Sequence, residues 1–166
     1  MPRILAVCSA VHRNVAAFLD AASTLGVEVS PREFPESTHT AADAAAAVGV
    51  EVGRIVKSLV FSVDDEVVVA LVSGPNRLDE RKLAAVAGGA RAGRVDADAA
   101  RAATGFPIGG VPPFGHRNKL RVFVDEALLA YDEVWAAAGM PNVNFAVAPA
   151  ELVRATDGVV CDLAKD

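Results

Sequence analysis

Ser58-Leu59-Val60-Phe61-Ser62-Val63-Asp64-Asp65-Glu66-Val67-Val68-Val69-Ala70-Leu71-Val72 is two β-branched, apolar runs separated by a pair of aspartates. Such runs favour strands, and Asp64-Asp65 is a two-residue turn candidate, so the stretch predicts a β-hairpin. The second run does not alternate between apolar and polar residues. A strand of that kind is buried on both faces, which places it centrally in a covered sheet.

Outward from the hairpin, short elements alternate with turn signals. Residues 14–25 carry Val15, Phe18, Leu19, Ala22 and Leu25 at helical spacing, with Asn14 as the expected N-cap and Gly26 as the stop. Val27 to Phe34 reads as a short edge strand, because Pro31 interrupts it and Pro35 ends it. Thr40 with Asp43 resembles a capping box before the alanine-rich run 41–48, which closes at Gly49. After Gly74-Pro75-Asn76, Asp79 caps a helix over 79–87 with Leu83 and Val86 inward and Gly88-Gly89 as its stop. Asp96 caps another short helix that ends at Gly105.

Strands are predicted over Leu120–Val124, over Ala130–Ala137 with Trp135 on the core, over Val143–Val147 and at Val159-Val160. Pro149 stands at the first position of a helix over 150–155. The strands cluster locally rather than alternating strictly with helices. The expected fold is therefore α/β of the α+β type: a mixed, largely antiparallel central sheet, partly barrel-like, flanked by short helices. No internal repeat or low-complexity linker divides the 166 residues, and one domain over 1–166 is expected.

Hydrophobic residues make up 52% of the chain and aromatic residues 5%, so the core should be aliphatic. A net charge of −5 argues against binding nucleic acid through bulk electrostatics, leaving a local basic patch or a partner protein for that task. Cys8 and Cys161 lie at opposite ends without metal-ligand spacing and read as reduced thiols. The apolar run Ile4 to Cys8 is shorter than a signal-peptide core of roughly 7–15 residues. No apolar stretch approaches the ~20 residues of a membrane span. A soluble, cytoplasmic protein is expected.

Gly105-Phe-Pro-Ile-Gly-Gly-Val-Pro-Pro-Phe-Gly-His116 can be neither helix interior nor central strand. It predicts a shaped loop that walls a pocket, anchored by Phe106, Ile108 and Phe114. His12, His39 and His116 are scattered, with no metal-ligand spacing, so neither a metal nor a cofactor is expected. There is no Gly-x-Ser-x-Gly nucleophile elbow and no Walker-type phosphate loop. Lys57 is the lone charge in Ile55-Val56-Lys57-Ser58-Leu59-Val60-Phe61. An inward lysine beside a glycine-rich loop supplies a cation and backbone N–H donors around a carbonyl or phosphate oxygen.

Val56-Lys57-Ser58-Leu59-Val60-Phe61 paired with Gly109-Gly110-Val111-Pro112-Pro113-Phe114-Gly115 resembles the YbaK/ProX family of trans-editing aminoacyl-tRNA deacylases, relatives of the editing domain inserted in bacterial prolyl-tRNA synthetase. The family's lysine matches Lys57 and its Gly-x-x-x-Pro loop matches Gly109 to Pro113. Leu78-Asp79 and Val122-Phe123-Val124-Asp125 match further pieces, so the resemblance covers roughly residues 27–163.

The resemblance implies hydrolysis of the ester between a wrong amino acid and tRNA, with the acceptor end of aminoacyl-tRNA as ligand and prolyl-tRNA synthetase as a possible partner. Lys57 and the backbone of Gly109, Gly110 and Val111 become the catalytic candidates, with the substrate's terminal ribose hydroxyl assisting attack. Ser58, Pro113, Phe114, Gly115 and Asn144 become substrate-binding candidates. Relatives that remove cysteine from prolyl-tRNA carry a Ser-Gly-Gly turn and a nearby Asp, where this chain has Ala137-Ala138-Gly139 and Asn144. Cysteinyl, alanyl or another small aminoacyl group on tRNA(Pro) therefore remains open. Two further readings stand beside the deacylase: a non-catalytic aminoacyl- or nucleotide-binding module that keeps the pocket, and an anion-binding protein with the glycine loop as a phosphate nest.

Overall fold

The computed structural model describes residues 3–4, 12–35, 38 and 40–166. Cys8, His39 and most of the apolar run Ile4–Cys8 lie outside that set. The hairpin forms as its sequence predicts: β3 (Val56–Val63) pairs antiparallel with β4 (Glu66–Ser73) from Val56↔Ser73 to Val63↔Glu66. Asp64 takes a left-handed φ of 53° in the turn. Its carboxylate accepts from the backbone N–H of Ala90 and Arg91, tying the turn to the chain beyond it.

The strands form two sheets. One has the order β5 (Ala92–Arg94), β3, β4, β6 (Arg121–Asp125), β9 (Val159–Cys161). It is mixed, with β4–β6 and β6–β9 parallel. The other is antiparallel, with the order β1 (Arg3–Ile4), β2 (Arg32–Glu33), β8 (Val143–Val147), β7 (Val134–Ala137). A bridge between Ile55 and Trp135 joins the sheets where β3 begins, and among the described residues neither sheet closes into a barrel.

β4 is buried on both faces, as its unbroken apolar run requires. Val68, Ala70 and Val72 pack with Phe123 of β6 and Leu83 of α3 (Glu80–Ala87). Val69 and Leu71 face the other way, into a cluster with Phe18 of α1 (Arg13–Thr24), Phe145 of β8 and Phe114 of the glycine-rich loop. Phe18, Phe114 and Phe145 stack together, with ring centroids 4.6–5.9 Å apart. Such aromatic pairs contribute ~0.5–1.5 kcal/mol beyond the area they bury.

Several local expectations change. The N-cap of α1 is His12, whose Nδ1 accepts from the Asn14 N–H at 3.0 Å. Asn14 lies inside the helix, and its side chain donates to the Gly139 carbonyl. Val27–Phe34 yields only the two residues of β2, paired on both sides and so not at an edge. Val86 is exposed while Leu83 is fully buried, because α3 is short and turns only one narrow stripe inward. The strand expected over Ala130–Ala137 keeps only β7, since Glu126–Ala130 winds into a 3-10 turn. β5 has no strand-like composition and forms by pairing with β3.

The remaining helices behave as read. Thr40 caps α2 (Ala41–Val48), Asp79 caps α3 and Asp96 caps α4 (Ala97–Thr104), each accepting from backbone N–H groups of the first turn. Pro149 opens α5 (Pro149–Thr156). The loop after α4 is closed at its base, where Arg117 N–H donates to the Thr104 carbonyl and Asn118 N–H to that of Ala103. Phe106, Val111 and Phe114 are each 3% exposed and fasten it to the core, whereas Ile108 is 59% exposed and is not an anchor.

Replacing Phe114 with Ala removes the loop's main core contact and should cost roughly 3–5 kcal/mol of folding stability. Ile108→Ala should change stability by about 0.5 kcal/mol or less. Urea unfolding of both variants checks the contrast, and equal losses would show that the loop is fastened some other way.

Candidate active site

β3 is paired with β4 along its whole length, but β5 covers its other edge only from Phe61 to Val63. Residues 56–60 therefore have a strand on one side only. The loop segment Ile108–Val111 stands opposite that bare edge, and the space between is a two-lobed cleft. The larger lobe, about 630 Å³, runs past Thr38, Ala41, Ala44, Ile55, Pro141 and Asn144. The smaller, about 380 Å³, runs past Arg77, Glu80, Arg94 and Lys165. Lys57, Ser58, Leu59, Ile108, Gly109 and Val111 line both lobes and form the ridge between them.

Lys57 is half-buried, and its Nζ donates to the backbone carbonyl of Asn76. The Asn76 side chain in turn donates to Asp125 Oδ2 at 3.1 Å, and Asp125 is 1% exposed at the end of β6. Leu163 N–H donates to the other carboxylate oxygen at 3.5 Å. Asp125 thus holds the turn that holds the lysine. Burial pushes the Lys57 amine below its ordinary pKa, the Arg77 charge pushes the same way, and Asp125 opposes both.

Ser58 Oγ is buried at the ridge without a hydrogen-bond partner among the described residues. A buried hydroxyl left unpaired costs about 1–3 kcal/mol. Gly109 has φ +88° and Gly110 lies so close to Gly139 that a Cβ would sit 2.8 Å from the Gly139 carbonyl oxygen. Side chains are disfavoured at both positions; Gly109 lines the cleft, whereas Gly110 is buried against the Gly139 turn and lines neither lobe. The Gly109 and Val111 N–H groups have no protein acceptor among the described residues, whereas Gly110 N–H donates to Pro107 at 3.0 Å. Of the three expected amide donors, two are free and one is spent inside the loop.

Not all the expected site residues meet here. Lys57, Ser58, Gly109 and Val111 share the ridge, and Asn144 lies in the larger lobe, donating to Thr38 Oγ1 at 3.5 Å. Pro113 and Phe114 are buried beneath the loop, and Gly115 abuts Ala21 of α1, away from the cleft. His116 Nε2 lies 2.7 Å from the Pro112 carbonyl; since a carbonyl only accepts, the ring carries its proton on Nε2 and braces the loop. Burial lowers the His116 pKa, partly opposed by that hydrogen bond.

Sequence reasoning missed Ile108, Thr38, Asn76, Arg77, Arg94, Asp125 and Lys165. Only Asp125, a lone carboxylate closing an apolar strand, carried a signal that could have drawn attention to it. Burial raises the Cys161 thiol to about 11, with nearby carboxylates adding to the shift, which keeps it protonated and inert. Among the described residues no cluster of His, Cys, Asp and Glu could hold a metal ion, and no helix is long and apolar enough to cross a membrane.

The arrangement defines an α+β protein with a cleft at a half-paired strand edge, furnished with a lysine on its ridge, further cations in its smaller lobe and unpaired backbone donors. The sequence profile of the aminoacyl-tRNA editing domain matches residues 35–155, and the chain belongs to that family. It is 29% identical over 132 residues, 78% of this chain and 80% of the relative, to the "Putative Cys-tRNA(Pro)/Cys-tRNA(Cys) deacylase EbsC" of Enterococcus faecalis. It is 35% identical over 106 residues to the proline–tRNA ligase of Maridesulfovibrio salexigens, covering 64% of this chain but only 18% of that enzyme. A crystal structure described as "a putative trans-editing enzyme for prolyl tRNA synthetase" superposes with a TM-score of 0.89 at 43% identity, over 95% of this chain and 100% of the other.

Asp125→Asn should destabilise the fold by about 1–3 kcal/mol, because an amide has one acceptor oxygen for two backbone and side-chain donors. It should also lower the Lys57 pKa further, since the opposing carboxylate charge is gone. An NMR titration of the lysine side chain reads this, and an unchanged Lys57 pKa would show the two groups to be uncoupled.

Proposed function

We propose that the chain is an aminoacyl-tRNA deacylase that hydrolyses the ester between a small, uncharged amino acid and the 3′ end of tRNA, with cysteinyl- or alanyl-tRNA(Pro) as the substrates of choice. The observation that carries this reading is the shared ridge, where Lys57 and Ser58 line the same cleft as Gly109 and Val111, whose N–H groups have no acceptor among the described residues.

The ester lies across the ridge. Its carbonyl oxygen takes negative charge as water adds to the carbon, and the two amides receive that charge without reorganising. Ser58 Oγ gains its missing partner in a substrate oxygen. Among the described residues no carboxylate or imidazole lines the larger lobe, and the one carboxylate lining the smaller lobe is Glu80. The free hydroxyl of the terminal ribose, next to the ester oxygen, therefore orients the water. The carbonyl–oxygen ester bond breaks, the ribose oxygen takes a proton, and a free amino acid leaves. Lys57 positions the terminal phosphate or the aminoacyl group.

The aminoacyl side chain occupies the larger lobe. Among the described residues Lys57 is the sole charged group lining it, so a charged side chain would shed its hydration there with poor compensation. Thr38 and Asn144 offer a polar pair at one wall. The relatedness to prolyl-tRNA synthetase editing domains makes that synthetase the natural supplier of mischarged tRNA.

A deacylation screen over Cys-, Ala- and Ser-charged tRNA(Pro) tests the reading. Release of at least one amino acid is expected, with Lys57→Ala slower by ~10²-fold, the scale for loss of one electrostatic contact to a reacting group. After correction for spontaneous ester hydrolysis, activity should decline on the alkaline side at a pH below the ordinary lysine range, because a depressed pKa loses the ammonium earlier. Lys57→Arg should remove that decline from whatever activity remains. Saturable binding without turnover across the panel would replace the enzyme with a binding module.

A further inference from the structure

The smaller lobe is a positively charged concavity in a chain whose net charge is −5. Four cations line it, Lys57, Arg77, Arg94 and Lys165, against the single carboxylate of Glu80. They come from separate parts of the chain. Arg94 ends β5, paired opposite Phe61 of β3. Arg77 follows the turn that fixes Lys57, and Lys165 is brought beside it because the C-terminal segment pairs with residues 77–79: Lys165 N–H donates to the Arg77 carbonyl at 2.8 Å and Asp79 N–H to that of Leu163 at 2.7 Å. Arg54, Lys82, Arg121 and Arg154 all form ion pairs, but among the described residues Arg77, Arg94 and Lys165 form none.

Gathering unpaired like charges raises the energy of the folded protein, and an anionic ligand relieves that cost. The lobe is open, it is continuous with the ridge, and the ridge holds only the ester. A chain of phosphodiesters leading away from the ester must leave by one of two lobes. Among the described residues the larger lobe offers no cation besides Lys57, and the smaller offers three more.

We infer that the smaller lobe is the seat of the RNA strand, with Arg94 and Lys165 binding phosphates of the single-stranded acceptor end next to the terminal nucleotide and Arg77 and Lys57 lying closest to the ridge. The inference rests on the deacylase reading for the direction in which the substrate lies. It also explains how an acidic protein holds tRNA: contact is concentrated in one lobe rather than spread over the surface.

The test is binding of an uncharged acceptor-stem RNA hairpin ending in CCA, followed by fluorescence anisotropy over a range of salt concentrations, so that no hydrolysis is required. Arg94 and Lys165 are exposed, and the double variant Arg94→Ala/Lys165→Ala should melt like the parent. Its affinity should fall roughly tenfold, and the slope of log K against log salt should shrink by about 1.4, at ~0.7 per cation for a single strand. Glu80→Gln should act in the opposite direction and tighten binding. Parent affinity and slope retained in the double variant overturn the inference, as does a hairpin that the parent protein does not bind. If AMP binds in a way that depends on Arg94 and Lys165 while the hairpin does not, the lobe serves a free nucleotide and the inference also falls. Salt-dependent binding that the double variant loses, in a protein that hydrolyses no charged tRNA, keeps the lobe assignment and removes the deacylase. Hydrolysis with an unchanged KM in the double variant keeps the deacylase and removes the lobe.

Discussion

A bare strand edge is the constraint on which the site depends. β5 is only three residues long and pairs only with Phe61–Val63, and β7 meets this end of β3 only through the Ile55–Trp135 bridge, so residues 56–60 have no strand pairing on that edge among the described residues. Unpaired strand edges are normally hidden or blunted. Here a loop is stood opposite the edge instead of against it, and the gap between them is the cleft. The loop can keep that distance only because Phe106, Val111 and Phe114 are locked into the core below it. Phe18 and Phe145 fix Phe114, and Gly110 rests on the Gly139 turn, so two sheets and a helix all bear on the position of two amide groups.

The second requirement is electrostatic. A half-buried ammonium is unstable unless something holds it, and among the described residues no carboxylate forms an ion pair with Lys57. Its immediate acceptor is a neutral carbonyl, and the compensating charge of Asp125 acts from one residue further away through Asn76. A direct ion pair would tie up the cation. The indirect arrangement stabilises the turn while leaving the lysine charge available to a ligand. Arg77 works against it, which makes Lys57 sensitive to any anion that enters the smaller lobe.

Much of this was legible in the sequence, for physical reasons that differ between parts. The hairpin and the two-faced burial of β4 could be read because burial on both sides leaves an uninterrupted apolar run. The helix caps at Thr40, Asp79 and Asp96 could be read because capping is a local chemical requirement. Lys57 and the Gly109–Val111 loop stood out because each violates the pattern around it. What could not be read depends on long-range pairing. β5 exists only because β3 is beside it, and the basic lobe exists only because the C-terminal segment pairs with residues 77–79. Ile108 was misjudged because an isolated apolar residue in a loop reads as an anchor, whereas its backbone, set by the turn around Gly109, points it into the cleft.

His116 shows the same logic in a single side chain. As a histidine next to a glycine-rich loop it invites a catalytic role, yet its Nε2–H is committed to the Pro112 carbonyl and burial favours the neutral ring. With its proton on Nε2, the ring keeps its hydrogen bond to Pro112 whether or not Nδ1 is protonated. A brace of this kind suits the proposed deacylase, in which backbone amides receive the charge on the ester and no side chain adjusts if the backbone drifts. Under that reading residues that never meet the substrate, such as Phe114 and His116, act on the rate through the packing that holds Gly109 and Val111.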